Sequence, residues 1–348
     1  MSIVLITGSS GLVGSESVSF FCKKGFDVIG IDNNIRAKLF GKKASTTWMM
    51  NKLISNHKNF KSFKIDIRSY SGLLKLFNKY KKNISLIIHC AAQPSHDYGK
   101  NFPFLDFDIN ARGTLNLLEL TKKFCPDAPF IFMSTNKVYG DNPNFLNLNE
   151  KKKRYELIKN HKLYKGIDEN FSLDNCVHSY FGVSKTYADL IVQEYGKNSN
   201  LKTVCFRGGC ITGPNHSGTK LHGFLSYLVK TSILEKKYTL IGYKGKQVRD
   251  NLHSYDLINC FWEFFKKPKY GEVYNIGGGR FSNCSILEAL EIVEKLTKIK
   301  IKKNIIKQNR VGDHKWYISN ISKFKKDYPN WKQKYNIIKI IEDLIESN

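Results

Sequence analysis

Short β-rich, mostly apolar runs punctuate the first 135 residues, with mixed stretches between them. The runs at 3–6, 28–31, 63–65, 86–89 and 130–133 predict strands, and the stretches at about 14–24 and 114–124 predict helices. Apolar runs without alternation suit a parallel sheet covered on both faces, and alternating strands and helices imply right-handed crossovers. The expected fold class is therefore α/β, a Rossmann-type doubly wound parallel sheet. Residues 142–177 are polar, rich in Lys and Asn and weakly periodic, which predicts a long surface excursion. A helix at 181–196, a buried strand at 203–207 and a tail forming a smaller C-terminal mixed α/β lobe are expected to follow. On this reading 1–215 with about 251–270 make the larger domain, and 216–250 with 271–348 the smaller.

Composition narrows the picture. Of 348 residues, 41% are hydrophobic and 25% charged, an ordinary balance for a globular enzyme that excludes disordered, collagenous and coiled-coil chains. No apolar run approaches the roughly 20 residues that span a bilayer, and a strand starting at residue 3 leaves no room for a signal peptide. A cytoplasmic protein without a membrane partner is expected. Eight dispersed cysteines, with no C-x-x-C spacing, read as reduced and mostly buried thiols, and no metal site is expected. The net charge of +26 invites a nucleic-acid reading. Only 8 of the 56 basic residues are Arg, however, and the lysines are spread over the whole chain. That dispersal points to a compositional bias rather than a binding stripe, so no nucleic-acid partner is expected; steering of an anionic small substrate is the simpler use of the field.

The first predicted strand runs into Thr7-Gly8-Ser9-Ser10-Gly11-Leu12-Val13-Gly14. Glycines at this spacing let the backbone turn tightly and approach a pyrophosphate, which meets the free N–H groups of the following helix. The second strand ends at Asp32, 18 residues beyond Gly14. A carboxylate there can accept from both adenosine ribose hydroxyls and repels a 2′-phosphate, which favours NAD over NADP despite the nearby Arg36. Gly8, Gly11, Leu12, Val13, Gly14, Asp32, Asn33 and Arg36 are the cofactor candidates of this segment.

From here the residues resemble the extended short-chain dehydrogenase/reductase family, the NAD-dependent nucleotide-sugar epimerases and dehydratases. The resemblance rests on Thr7 to Gly14, Asp66-Ile67, His89-Cys90-Ala91-Ala92, Asn110 and Ser134-Thr135-Asn136-Lys137-Val138-Tyr139-Gly140. It continues through Arg207, Gly245-Lys246-Gln247-Val248-Arg249-Asp250, His253, Asp256 and Asn275-Ile276-Gly277-Gly278. It implies NAD contacts at Asp66, Ile67, Ala91, Ala92, Gln93, Asn110, Ser134 and Lys185. It also implies a nucleotide-sugar substrate at Thr135, Asn136, Lys137, Arg249 and Arg310, and a homodimer through paired helices. The segments 134–141 and 245–250 are most similar to the 2-epimerases of CDP-activated sugars. Such enzymes oxidise a hydroxyl, let the ketone present its other face and return the same hydrogen. The 4,6-dehydratases of the family carry an Asp-Glu pair after the hydroxyl residue; Asn136-Lys137 stands there instead.

One position departs from the family pattern. Its catalytic pair is Tyr-x-x-x-Lys, in which the ammonium lowers the phenol pKa and the phenolate takes a proton from the sugar hydroxyl. Lys185 is present, but Phe181 stands four residues before it and Tyr180 is one position early. On a helix, position 180 lies roughly 140° around the axis from Lys185 and position 181 about 40°. Tyr180 is therefore a poor substitute. His96, in the loop after the fourth strand, is the candidate replacement base, since an imidazole titrates near neutral pH. Thr135, Lys185, His96 and Tyr180 form the catalytic candidate set. The alternatives are another nucleotide-sugar 4-epimerase or reductase, or an NAD and nucleotide-sugar binding protein with an impaired active site.

Overall fold

The computed structural model describes residues 2–216, 223–309 and 312–347. A seven-stranded sheet is built from β1 (Ile3–Thr7), β2 (Asp27–Ile31), β3 (Phe60–Phe63), β4 (Ile84–His89), β5 (Phe130–Thr135), β6 (Thr203–Gly208) and β7 (Glu272–Ile276). Its order is β7-β6-β5-β4-β1-β2-β3, and the pairs from β3 through β5 are parallel. The chain thus winds outward from β1 in both directions, leaving a topological switch point between β1 and β4 at the carboxyl ends of the strands. Strand β1 is buried at all five positions and β4 at five of six, as the unbroken apolar runs require.

Six helices matter for the site: α1 (Leu12–Lys23), α2 (Tyr70–Tyr80), α3 (His96–Asn101), α4 (Pro103–Phe107), α5 (Gly113–Phe124) and α6 (Tyr180–Asn198). Between α4 and α5 the helical path widens into a π turn at Asp108–Arg112. Helix α5 buries Leu117, Leu118 and Leu120 in a core shared with Leu5, Ile87, Phe130 and Phe132 from the sheet.

Two compact units emerge. The first holds 1–135, 180–206 and 258–273, and the second 136–179, 207–257 and 274–348. The sequence reading places 136–179 with the larger domain and draws the other boundaries elsewhere. Nor is 142–177 the surface excursion expected of it: Leu157 and Ile167 are buried and share a core with Val138, Tyr139, Val248 and Trp316. Its apolar residues come in ones and twos among polar ones, with no longer run and no steady period, so their burial leaves no pattern to read. Strand β3 also lies at Phe60–Phe63 rather than 63–65. It is an edge strand with Lys61 exposed, and the apolar-run rule does not hold at an edge.

In the second unit Val248–His253 is the central strand, pairing in parallel with Cys210–Thr212 and Trp316–Tyr317 and antiparallel with Asn283–Ser285. Ser285 and Glu288 form a reciprocal capping box at the start of the helix Ile286–Thr297, satisfying two backbone donors. No helix among the described residues is long and apolar enough to cross a membrane.

Candidate functional site

The turn between β1 and α1 is constrained on every side. Gly8 has φ +67°, and a Cβ on it would lie 2.8 Å from the Ala91 nitrogen; a Cβ on Gly14 would lie 2.0 Å from the Gly8 carbonyl oxygen. Both positions exclude any side chain. Gly11 caps α1 with no side-chain hydrogen bond, and the first turn of α1 holds no acidic residue. The N-terminal N–H groups are thus left for an anion, and this turn meets the requirements of a pyrophosphate cradle.

Asp32 lies beside it. Its carboxylate accepts from the Ser10 N–H at 3.0 Å and the Asn34 N–H at 2.8 Å. Burial raises its pKa, against the lowering effect of those bonds and of Arg36. Two N–H bonds leave lone pairs for ribose hydroxyls. Asp66 follows β3 and is bound by both Arg68 Nε (3.0 Å) and Nη2 (2.7 Å) and by Asn33 Nδ2 (3.0 Å). Burial opposes ionisation of Asp66, but these bonds outweigh it and hold its pKa below the usual value. Ile67 is buried and fills the space over Gly113, where a Cβ would lie 2.6 Å from Ile67 Cδ1.

The segment after β4 carries Ala91, Ala92 and Gln93. Gln93 accepts the Ser95 N–H at 2.6 Å and donates to Asp106 Oδ1 at 2.5 Å. Asn110, in the π turn, accepts from the Gln93 N–H at 2.9 Å and donates to Ser184 Oγ at 3.0 Å. Ser184 Oγ in turn donates to Asp106 Oδ2 at 2.5 Å. A buried carboxylate thus ties α4, the π turn and α6 together. Burial raises the Asp106 pKa, while bonds from Ser184 and Gln93 oppose the rise. Sequence reasoning missed Asp106; its one signal is a charge set between Leu105 and Phe107, where an apolar run would be expected.

Lys185 is 3% exposed. Its ammonium donates to the Met133 carbonyl at 2.9 Å and sits 4.0 Å from the Phe132 ring centroid. Burial lowers its pKa to about 8, despite the favourable presence of Cys90, Asp189, Cys205 and Asp106. Beside it Ser134 Oγ donates to Asp189 at 2.5 Å, and Thr135 ends β5 at the carboxyl edge of the sheet. Phe181 is 7% exposed and meets the His96 ring edge-on at 5.1 Å between centroids. Tyr180, by contrast, is 57% exposed. The first unit therefore brings His96 to Phe181 and leaves Tyr180 turned to solvent, in keeping with their angular separation on α6.

Asn136, Lys137 and Arg249 belong to the second unit. Lys137 Nζ donates to the Gly312 carbonyl at 2.8 Å. Arg249 is buried, with Nη1 on its neighbour's carbonyl at Val248 (2.8 Å) and Nη2 paired with Asp313. Burial raises the Asp313 pKa, but the Arg249 and Lys137 charges outweigh this and hold it well below the usual carboxylate range. Arg310, also expected at the substrate, lies outside the described residues.

Comparison with known proteins agrees with this geometry. The model of the NAD dependent epimerase/dehydratase family matches residues 4–277. A CDP-paratose 2-epimerase of Salmonella typhi is 31% identical over 92% of this chain and 91% of its own. A UDP-glucuronate 4-epimerase of Thermodesulfobacterium geofontis is 29% identical over 97% and 93%. Among solved structures, the UDP-glucose 4-epimerase of Thermus thermophilus in complex with NAD superposes with a TM-score of 0.80 at 20% identity, covering 99% of this chain and 98% of that one. With the family model spanning most of the chain and a relative above 30% identity over nearly all of it, the chain belongs to the NAD dependent epimerase/dehydratase family, Rossmann-fold enzymes that use NAD.

Proposed function

We propose that the protein inverts C2 of a CDP-activated sugar by transient oxidation and return of the same hydrogen. The observation that carries this reading is the 31% identity to a CDP-paratose 2-epimerase along nearly the whole chain, and the resemblance of segments 134–141 and 245–250 to such enzymes supports it. When bound, NAD supplies the acceptor and later the donor of that hydrogen. Gly8, Gly11, Leu12, Val13 and Gly14 cradle its pyrophosphate, Asp32, Asn33 and Arg36 surround the adenosine ribose, and Asp66 and Ile67 hold the adenine. Ala91, Ala92, Gln93, Asn110 and Ser134 line the nicotinamide half, whose ribose Lys185 binds. Thr135, Asn136, Lys137, Arg249 and Arg310 hold the sugar nucleotide, with Arg249 exchanging part of its pairing with Asp313 for the diphosphate. His96 removes the proton of the hydroxyl being oxidised. The eight free cysteines fit a reducing compartment, and we place the enzyme in the cytoplasm.

Incubation of CDP-sugars in deuterated water tests the chemistry. Epimerisation without label at the inverted carbon is expected, because the hydrogen travels by way of the cofactor; label there means direct deprotonation and a different mechanism. A panel of UDP- and GDP-sugars in the same assay decides between this reading and a 4-epimerase or reductase. The cofactor assignment has its own test: Asp32→Ala weakens NAD far more than NADP. Equal losses for the two overturn the role given to Asp32.

Phe181 favours a second reading, a protein that binds NAD and a nucleotide sugar without turning it over. Binding of both by the purified protein, with no turnover of any sugar in the panel, selects it.

The reading includes a homodimer. Val183, Tyr187 and Leu190 form an exposed apolar stripe on α6, at 55%, 37% and 47% exposure, and Phe107 of α4 extends it by ring contact with Tyr187. A second copy offers the self-complementary surface that such a stripe needs. Sedimentation of Leu190→Asp is expected to give a monomer where the wild type gives a dimer; a wild-type monomer overturns this part.

A further inference from the structure

Three side chains at the ends of β1, β4 and α5, with a backbone group at either end, form a chain of hydrogen bonds with a determinable direction. Thr114 Oγ1 lies 2.6 Å from the Asn110 carbonyl and 2.9 Å from His89 Nε2. A carbonyl only accepts, so the Thr114 hydroxyl directs its single proton there and presents a lone pair to His89. Nε2 must therefore carry the imidazole proton. The other ring nitrogen, Nδ1, lies 2.7 Å from Thr7 Oγ1. In a neutral ring Nδ1 accepts, so the Thr7 hydroxyl donates to it and keeps a lone pair for the Ala91 N–H, 3.2 Å away. Every proton in the chain then has one acceptor, and reversing any one bond sets two lone pairs or two protons face to face.

The surroundings keep the ring neutral. Thr7, His89 and Thr114 are at most 1% exposed, and the Phe130 and Phe132 rings lie 6.1 and 5.4 Å from the imidazole. Burial, and secondarily the charge on Lys185, lower the His89 pKa well below the ordinary value.

Both ends of the chain matter to the site. Ala91 is the residue whose backbone closes over Gly8, within 2.9 Å of where a Cβ would stand. Asn110, at the other end, lies in the π turn and holds Gln93 and Ser184, the neighbour of Lys185. We propose that His89 is a positioning residue, locked as the Nε2–H tautomer, that fixes Ala91 against the glycine turn and Asn110 against Ser184 through one ordered line of protons. It touches neither cofactor nor substrate.

Nitrogen-15 spectra of the histidine-labelled wild type test the proton order directly. A neutral ring protonated at Nε2 is expected from pH 5.5 to 8, whereas an Nδ1–H ring or an imidazolium in that range overturns the proposal. Two variants then separate the arms. Gln places an amide donor near the Nε2 position and loses the acceptor for Thr7; Asn places a carbonyl oxygen near Nδ1 and loses the donor to Thr114. His89→Gln is expected to weaken NAD binding more than it lowers kcat, and His89→Asn to lower kcat more than it weakens NAD, each by about tenfold, as for one neutral hydrogen bond lost in a buried site. Losses of stability with no such split overturn the positioning role. The functional arm rests on the function proposed above, and wild type that binds no NAD refutes that reading while leaving the spectra to decide the proton order.

Discussion

His96→Ala is expected to lower kcat by roughly 10²–10⁴, the usual worth of a positioned general base, while Tyr180→Phe changes it by less than about threefold. The argument is geometric. Phe181 occupies the place that the family gives to its phenol, is 7% exposed and presents only carbon, so it moves no proton. The His96 ring meets it edge-on at 5.1 Å, so an imidazole lies against the ring that stands in place of the phenol. Tyr180 is 57% exposed at the first residue of α6 and faces away from Lys185. Phe181→Tyr restores a phenol on the Lys185 side of the helix and is expected to rescue most of the activity lost in His96→Ala. Steady-state kinetics on the three single variants and the His96→Ala/Phe181→Tyr pair provide the check. A strong loss in Tyr180→Phe with none in His96→Ala gives the proton transfer to Tyr180 and refutes the helix argument.

The sheet and the glycine turn are legible in the sequence for the same reason: strands buried on both faces show unbroken apolar runs, and a backbone that must pass close to a neighbour tolerates only glycine. Gly8 and Gly14 are the clearest examples, each with less than a Cβ of space. What stays hidden depends on contacts distant in sequence. Asp106 acquires its meaning from Gln93, Asn110 and Ser184, the last 78 residues away, and no local period marks it. His89 reads as part of a motif, but its tautomer follows only once Thr7 and Thr114 are placed on either side. Arg249 is a case of the opposite kind. The resemblance of 245–250 marks it as a substrate contact, and sequence alone gives no sign that Asp313 is its partner in the folded chain. The buried residues of 142–177 escape notice because apolar side chains in ones and twos among polar ones make neither run nor period.

Lys185→Met is expected to move two quantities in opposite directions: the cofactor-free fold becomes more stable by about 1–2 kcal/mol, and NAD binding weakens by about 10- to 100-fold. On the role proposed for Lys185, the binding loss is that of a charge-assisted hydrogen bond to the nicotinamide ribose. The gain in stability comes from the depressed pKa. Lys185 titrates at about 8 in the fold against an ordinary value of 10.5, so the folded state disfavours its charge, at a cost of about 3 kcal/mol. Methionine fills similar space without the charge, and the lost bond to the Met133 carbonyl offsets part of the gain. Because the folded pKa lies below the unfolded one, the unfolded chain binds the extra proton between about pH 8 and 10.5, and this group makes wild-type stability rise with pH across that window. The cost is in full force below pH 8. The advantage of Lys185→Met is therefore largest at neutral pH and shrinks as pH rises from 8 towards 10. Urea unfolding of both proteins at pH 7, 8, 9 and 10, paired with NAD titrations at pH 7, measures the two effects separately. A variant less stable than wild type at pH 7 would show that the ammonium is held by more than its burial costs, and an unweakened NAD titration would remove Lys185 from the cofactor site.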